Sequence, residues 1–202
     1  MSATIRHYDD NARAFFDSTR DVDMTPLYER FLPRVPAGGA ILDAGCGSGR
    51  DTLAFRERGY RVTAFDASPE LARLAETHTG QAVHVLRFEE LEWEEAFDGI
   101  WACASLLHVP RGQLANAFGL LARALKPGGV LYASFKYGTR EHSRGGRHFT
   151  DLDEENLGRI LAQVPALSVL ETWQTEDQRP GREAETWLNA LLRKQEATCP
   201  TT

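Results

Sequence analysis

The sequence lacks long hydrophobic runs, clustered cysteines and internal repeats. No stretch approaches the roughly 18 consecutive apolar residues of a membrane-spanning helix, so we expect no membrane segment. The first residues also lack the apolar core of a secretory signal, and we therefore expect a cytoplasmic protein. The three cysteines, Cys46, Cys103 and Cys199, lie far apart and outside any CxxC pattern, which argues against a disulfide framework or a metal site.

Positive charge is also scarce in this chain. Its 23 lysines and arginines are outnumbered by 29 aspartates and glutamates, and the formal net charge is -6. Because nucleic-acid-binding proteins usually present a basic surface, this balance argues against a nucleic-acid partner. The 202 residues, of which 42% are hydrophobic, suit a single compact domain and leave the oligomeric state open.

Strand and helix patterns alternate along most of the chain. The predicted strands are residues 40–44, 61–65, 82–88, 97–104 and 130–135, and the predicted helices are 51–58, a helix from Ser68 through Leu74, 113–125 and 151–163. Residues 167–172 and 187–192 are candidate last strands, although the second also fits one helical turn. This alternation favours an α/β fold with a mostly parallel sheet. Within one domain, we expect a helical lead-in (1–35), a core (36–135), a polar loop (136–150) and a C-terminal helix with strands (151–202).

The most informative segment is Asp43-Ala44-Gly45-Cys46-Gly47-Ser48-Gly49, between a predicted strand and a predicted helix. Its glycines permit a tight turn and let backbone N–H groups approach a ligand, and the helix N-terminus favours a negatively charged ligand group. Asp66 ends the next strand, where a carboxylate can accept hydrogen bonds from both hydroxyls of a ribose. Together these features predict a nucleoside site at the carboxyl ends of the strands.

Three kinds of glycine loop compete to explain this segment. A dinucleotide loop needs a small residue at the last position of G-x-G-x-x-G/A, where this chain has Arg50. A phosphate-binding loop ends in GK[ST], whereas Gly49 is followed by Arg50 and Asp51. The remaining pattern, acidic-x-G-x-G-x-G, resembles motif I of the class I S-adenosylmethionine-dependent methyltransferases.

Two later segments extend the resemblance, which covers residues 35–140. Residues 97–100, Phe-Asp-Gly-Ile, resemble the FD-x-I strand of motif IV, and residues 125–129, LKPGG, resemble the turn before the fifth strand. The resemblance implies S-adenosylmethionine as cofactor and a Rossmann-like doubly wound sheet of about seven strands with an antiparallel last strand. It also implies an N-terminal helical lid. Within the family, the chain is similar to small-molecule enzymes, including the tellurite-resistance type.

The resemblance also assigns a set of cofactor contacts. Motif I surrounds the methionine portion, Asp66 holds the ribose, and Phe88-Glu89 lie where relatives contact the adenine. From the lead-in, Tyr8 is a candidate to cover the sulfonium through a cation–π contact, with simple packing as the alternative. The predicted cofactor-binding residues are Tyr8, Asp43, Ala44, Gly45, Gly47, Asp66, Ala67, Phe88, Glu89, Ala104 and Ser105.

The acceptor side offers one candidate base and one basic segment. His108 follows the fourth strand and has an ordinary pKa near neutrality, so it is the candidate general base, with a packing role as the alternative. Residues 136–149 gather Lys136, Arg140, Arg144 and Arg147 in an acidic protein, which suits an oxyanion, although a solvated loop is the competing interpretation. The predicted acceptor-binding residues are His108, Lys136, Tyr137, Arg144, Arg147 and His148.

We therefore predict an enzyme that transfers a methyl group from S-adenosylmethionine to a small, anionic or soft nucleophilic acceptor. The chain lacks the Asp/Asn-Pro-Pro-Tyr/Phe signature of enzymes that methylate nucleic-acid amino groups. Two alternatives stay open: an enzyme acting on RNA or protein, and a non-enzymatic module that binds S-adenosylmethionine.

Overall fold

The computed structural model describes residues 2–179, 181–182 and 184–196, so Cys199 lies outside the described residues. The strands are β1 Ala40–Ala44, β2 Arg61–Asp66, β3 His84–Val85, β4 Phe97–Ala102, β5 Leu125–Lys136, β6 Glu141–Arg144, β7 Arg147–Thr150, β8 Leu167–Glu176 and β9 Thr186–Lys194. The helices are α1 Ala3–Asp10, α2 Ala12–Thr19, α3 Thr25–Phe31, α4 Arg50–Glu57, α5 Pro69–Thr79, α6 Arg111–Ala124 and α7 Glu154–Leu161. Across these ranges, no helix combines the length and the apolarity needed to cross a bilayer.

A seven-stranded sheet runs in the order β3-β2-β1-β4-β5-β9-β8. The pairs from β3 through β5 are parallel, and β9 runs antiparallel to both of its neighbours. This arrangement confirms the predicted Rossmann-like fold with its antiparallel last strand. Residues 187–192, which also fitted a helical turn, lie in β9; Leu188, Ala190, Leu191 and Leu192 are all buried, so no polar–apolar alternation marks them as a strand.

Helices cover both faces of the sheet. On one face, Phe31 of α3 and Phe55 of α4 pack against Trp101, which stacks on Tyr132 with ring centroids 3.9 Å apart. The Tyr132 hydroxyl donates to Asn189 Oδ1 at 2.6 Å, which satisfies its buried polar tip. On the other face, α6 and α7 supply the helical part of a larger apolar cluster.

The direction of strand order reverses between β1 and β4. A parallel sheet opens a crevice at such a reversal, beyond the carboxyl ends of the strands. The segments leaving β1, β2 and β4 there are residues 45–49, 67–68 and 103–105. The fold thus brings the glycine loop and the residue after Asp66 to one edge of the sheet.

The predicted polar loop at 136–150 is wrong. Residues 141–150 form the two-stranded hairpin β6–β7, and β5 itself continues to Lys136. The tip of the hairpin is Gly145-Gly146, whose φ angles of 56° and 78° are typical of a two-residue hairpin turn. Polar side chains on both faces of these short strands hide the alternation by which strands are recognised in a sequence.

Three other boundaries also differ from the prediction. The third strand has two residues instead of the predicted 82–88, because it pairs only with the end of β2 at the edge of the sheet. Helix α7 begins after Asp153, whose carboxylate accepts from the Asn156 amide at 2.8 Å, whereas the predicted helix begins at residue 151. The turn expected at residues 125–129 lies within the span of β5, where the pairing with β4 shifts register.

Gly49 tests how strictly the fold depends on its first glycine loop. Its φ is 76°, and a Cβ at this position would lie 2.8 Å from Thr79 Cγ2 and 3.2 Å from Ala75 Cβ. We expect Gly49→Ala to lower the free energy of unfolding by about 2–4 kcal/mol, because backbone strain adds to overpacking. Chemical denaturation measures this change.

The matched control is Gly119→Ala in α6, where a Cβ would meet nothing within 4 Å. We expect this variant to gain about 0.5–1 kcal/mol, because alanine suits a helix interior better than glycine. Equal effects of the two variants on unfolding would contradict the steric account.

Candidate active site

A cleft of about 560 Å³ opens at the carboxyl ends of β1, β2 and β4. This volume lies within the roughly 300–1,000 Å³ usual for small-molecule sites. The N-terminal helices α1 and α2 contribute Tyr8 and Phe15 to the wall opposite the sheet, and the hairpin β6–β7 closes one end. The predicted residues that line the cleft are Tyr8, Gly45, Gly47, Asp66, Ala67, Phe88, Glu89, Ala104, Ser105, His108, Lys136, Arg144 and Arg147.

The glycine loop uses its own amides to fix its shape. The amides of Gly45 and Cys46 both donate to the Phe65 carbonyl at 2.9 Å, and the Gly47 amide donates to Asp66 Oδ2 at 2.8 Å. The expectation that these N–H groups face a ligand is therefore wrong. The missing side chain at Gly47 instead lets Phe15 of α2 approach the loop, because a Cβ on Gly47 would lie 3.1 Å from Phe15 Cε1.

Asp66 ends β2 at the edge of the cleft. Its carboxylate accepts from the amides of Gly47 and Ser68, at 2.8 and 2.9 Å. Burial nevertheless raises the pKa of Asp66 above its ordinary value, since these two bonds only partly replace the water it has lost. A ligand with hydroxyl donors at this carboxylate would stabilise its charged form.

Asp43 and Ala44, predicted to contact the cofactor, lie beneath the loop and do not line the cleft. The Asp43 carboxylate accepts from the Thr52 hydroxyl at 2.6 Å, and burial, with neighbouring Asp51, raises its pKa. The Ala44 carbonyl accepts from the Ser105 hydroxyl at 2.6 Å. Both residues therefore support the site from below: Asp43 ties β1 to α4, and Ala44 ties β1 to the segment after β4.

Three apolar side chains line the cleft beyond Asp66, next to Arg87 and Glu89. Phe88 opens a short 3-10 turn after β3 and packs edge-on against Phe65, with ring centroids 5.4 Å apart. Leu71 and Leu86 line the same part of the cleft. This slot next to a carboxylate suits a flat heteroaromatic ring joined to a sugar.

Ala104 carries the backbone strain of the site. Its φ is 52°, an uncommon value for a residue with a side chain, and its amide donates to Ser134 Oγ at 2.8 Å. The bend allows Ser105 to pack directly on Gly45, where a Cβ would lie 2.5 Å from that of Ser105. The segments after β1 and β4 are therefore held in contact at the floor of the cleft.

His108 is hydrogen-bonded through both ring nitrogens. Nδ1 lies 2.6 Å from the His148 carbonyl, which can only accept, so Nδ1 carries the proton and Nε2 accepts from the Tyr8 hydroxyl at 2.8 Å. Burial lowers the pKa of His108 to about 4. The ring is therefore neutral at pH 7, and it lines the cleft beside Tyr8. Its role as general base stays a prediction.

The basic segment is less positive than its sequence indicated. Lys136 pairs with Glu185, His142 lies 3.6 Å from Asp151, and His148 lies 3.2 Å from Glu141. Two of the predicted acceptor-binding residues do not line the cleft. Tyr137 is exposed and donates to Glu154. The other predicted residue, His148, acts only indirectly, because its backbone carbonyl accepts a hydrogen bond from the His108 ring.

A buried ion pair at the start of α4 was not predicted from the sequence. Arg50 lines the cleft and donates to Asp51 Oδ1 at 2.7 Å; Asp51 also accepts from Tyr28 and Trp101 at 2.5 and 2.8 Å. Burial opposes the charge of Asp51, but the guanidinium holds its pKa below the ordinary value. A carboxylate at a helix start is readable in sequence, whereas partners 23 and 50 residues away are not.

Residues 41–129 match the protein family described as "Methyltransferase domain". Among curated relatives, the ubiquinone biosynthesis O-methyltransferase of Xanthomonas axonopodis is 36% identical over 106 residues, 49% of this chain and 44% of the relative. The malonyl-[acyl-carrier protein] O-methyltransferase of Salmonella typhimurium is 38% identical over 96 residues, 46% of this chain and 37% of the relative. The chain thus spans less than half the length of these relatives, and the family match at residues 41–129 includes the glycine loop.

Solved structures show the same fold over nearly the whole chain. The 1,6-didemethyltoxoflavin-N1-methyltransferase of Burkholderia thailandensis, solved with S-adenosylhomocysteine, has a TM-score of 0.77 at 24% identity and covers 95% of this chain and 85% of its own. The N-methyltransferase NodS of Bradyrhizobium japonicum has a TM-score of 0.71 at 19% identity, covering 94% and 100%. The architecture is the Rossmann-like methyltransferase fold.

The depressed pKa of His108 links protonation to stability. Between pH 6.5 and about 4, His108 is protonated in the unfolded chain but stays neutral in the folded protein. The protein therefore loses stability as the pH falls through this window. We expect a loss of about 2 kcal/mol from this group between pH 7.5 and pH 5. Urea unfolding at the two pH values measures it.

His108→Gln should remove this share of the pH dependence, because glutamine does not titrate. The control is His84→Gln, which makes the same replacement at an exposed histidine outside the cleft. A pH dependence unchanged in His108→Gln would contradict the buried, neutral imidazole.

Proposed function

We propose that this protein transfers a methyl group from S-adenosylmethionine to a small acceptor. The observation that carries the proposal is the carboxylate of Asp66, which lies beside a glycine loop in a cleft beneath N-terminal helices. The match of residues 41–129 to a methyltransferase domain supports it independently.

The residues present fit the cofactor. Burial raises the pKa of Asp66, and two ribose hydroxyls that donate to this carboxylate would stabilise its charged form. Because Gly45 and Gly47 have no side chains, the loop packs directly against Ser105 and Phe15, which also line the cleft. The methionine portion would lie against the glycine loop and Ala104–Ser105, with the adenine between Ala67, Phe88 and Glu89. When bound, the cofactor supplies an electrophilic methyl group on a sulfonium.

The chain's own contribution is orientation and exclusion of water, which are the main requirements of an in-line displacement. The wall formed by α1 is tied down at two points: Asp9 accepts from Ser68 Oγ at 2.5 Å, and Thr4 accepts from the His148 amide at 2.9 Å. Tyr8, carried on this helix, faces the cleft with its hydroxyl aligned by His108. These contacts hold α1 over the cleft beside the end of β4.

The acceptor end of the cleft receives side chains from β5, β9 and the hairpin β6–β7. Ser134, Lys136, Asn189 and Trp187 line it, together with Arg147. Such a mixture of polar and aromatic groups suits a small, nucleophilic acceptor that is anionic or soft. The names of the curated relatives indicate methylation of oxygen in ubiquinone biosynthesis and in malonyl-[acyl-carrier protein], which is consistent with an acceptor of this kind. The cytoplasmic location and the tellurite-resistance type stay predictions.

Asp66 provides the direct test of the cofactor site. We expect Asp66→Ala to bind S-adenosylhomocysteine about 10- to 100-fold more weakly in isothermal titration calorimetry, because hydrogen bonds to a charged group are lost. Asp66→Asn, which keeps the size of the side chain, should also weaken binding. Glu70→Gln is the control: it removes one negative charge from the exposed first turn of α5 and should bind as the natural chain does. Equal affinity in all four proteins would overturn the proposed cofactor site.

Turnover separates an enzyme from a binding module. Purified protein with methyl-labelled S-adenosylmethionine and a panel of phenols, carboxylates, thiols and amines should release S-adenosylhomocysteine in step with labelled product. Transfer of the methyl label to RNA or protein in cell extract, without a labelled small-molecule product, would identify a macromolecular acceptor instead. Tight cofactor binding with no turnover across panel and extract would favour the module.

A further inference from the structure

Most cations at the acceptor end of the cleft are already neutralised. Lys136 pairs with Glu185, and Arg179 donates to Asp177 from both Nε and a terminal nitrogen. Each of these four residues lines the cleft. Because each of these cations is paired with a carboxylate, little net positive charge remains for a ligand. Lys136 and Arg179 therefore do not select an acidic acceptor.

Arg144 and Arg147 at the tip of the hairpin differ from these pairs. They are directly opposite each other across Gly145-Gly146, and both line the cleft. Like charges at opposite positions of a strand pair repel, which destabilises a hairpin unless something of opposite charge lies between them. In the ranges 2–179, 181–182 and 184–196, no carboxylate lies within 4.0 Å of either guanidinium.

The guanidinium of Arg147 is held in place without a charged partner. It lies over the rings of Phe149 and Tyr8, 5.1 and 5.9 Å from their centroids. Its Nε is buried and has no hydrogen-bond acceptor among the described residues. Leaving a buried donor without a hydrogen bond costs free energy, and a ligand oxygen in the cleft would accept from it.

We propose that Arg144 and Arg147 form the docking site for an oxyanion of the acceptor, a carboxylate or a phosphate, and thereby select acidic acceptors. The inference rests on the proposed methyl transfer. A planar guanidinium matches either group with two parallel N–H bonds, and two guanidiniums keep the bound group ionised. Because Arg147 lies against the Tyr8 ring, the docked acid is placed beside the Tyr8–His108 pair at the centre of the cleft.

The test uses simple acids as probes, on the protein saturated with S-adenosylhomocysteine. Benzoate and phenyl phosphate carry the two candidate oxyanions on the same ring, and benzamide is the neutral counterpart of benzoate. We expect calorimetry to show binding of at least one acid and much weaker binding of benzamide. The acid that binds more tightly identifies whether carboxylate or phosphate is the preferred group.

Arg144→Gln and Arg147→Gln should each weaken binding of that acid at least about tenfold while S-adenosylhomocysteine binds as before, since one charge-assisted pair is lost. Arg147→Lys, which keeps the charge but loses the fork, should recover part of the affinity. The matched control is Arg140→Gln, an exposed arginine just before the hairpin that does not line the cleft. It should change nothing.

Three results would overturn the docking site: no acid binds the natural protein, benzamide binds as well as benzoate, or the Arg140 variant loses as much affinity as the other two. If S-adenosylhomocysteine binds in any of these cases, the cofactor site stands and only the docking site is lost. Failure of S-adenosylhomocysteine to bind the natural protein would instead overturn the proposed function itself.

Discussion

The hydrogen bond from the Gly47 amide to the Asp66 carboxylate is the constraint on which the site depends. It joins the segment after β1 to the end of β2, so that the glycine loop and the acidic residue cannot move independently. Two further bonds, from the Gly45 and Cys46 amides to the Phe65 carbonyl, hold the same junction. The carboxylate therefore has a structural role inside the protein, and the proposed function gives it a second role towards a ligand.

This double use explains why small residues are needed at the junction. A loop whose amides donate to the neighbouring strand has to turn back sharply, and Gly45, Gly47 and Gly49 all have positive φ angles. The curl brings Gly45 against Ser105, and thus fixes the distance between the segments after β1 and β4. The floor of the cleft is set by backbone packing, and the side chains above it, from Tyr8 to Trp187, define what can bind there.

The features predicted correctly from the sequence are those that depend on local residue types. Glycines in a tight turn, an acidic residue at a strand end and alternating strand and helix patterns need no distant partner to be recognised. The Tyr8–His108 contact spans 100 residues, and Lys136 and Glu185 are 49 apart, so neither pairing can be read from spacing. For that reason the basic segment looked more positive in sequence than it is in the fold, and the hairpin within it was missed.

Helix α1 touches both halves of the cleft. Asp9 is bonded to Ser68 at the start of α5, beside the proposed nucleoside site, and Thr4 is bonded to His148 in the hairpin that carries Arg147. In the proposed function, donor and acceptor lie on either side of this one helix of eight residues. A ligand that restrains α1 would then lower the entropy cost of binding the other ligand, which would couple the two sites thermodynamically.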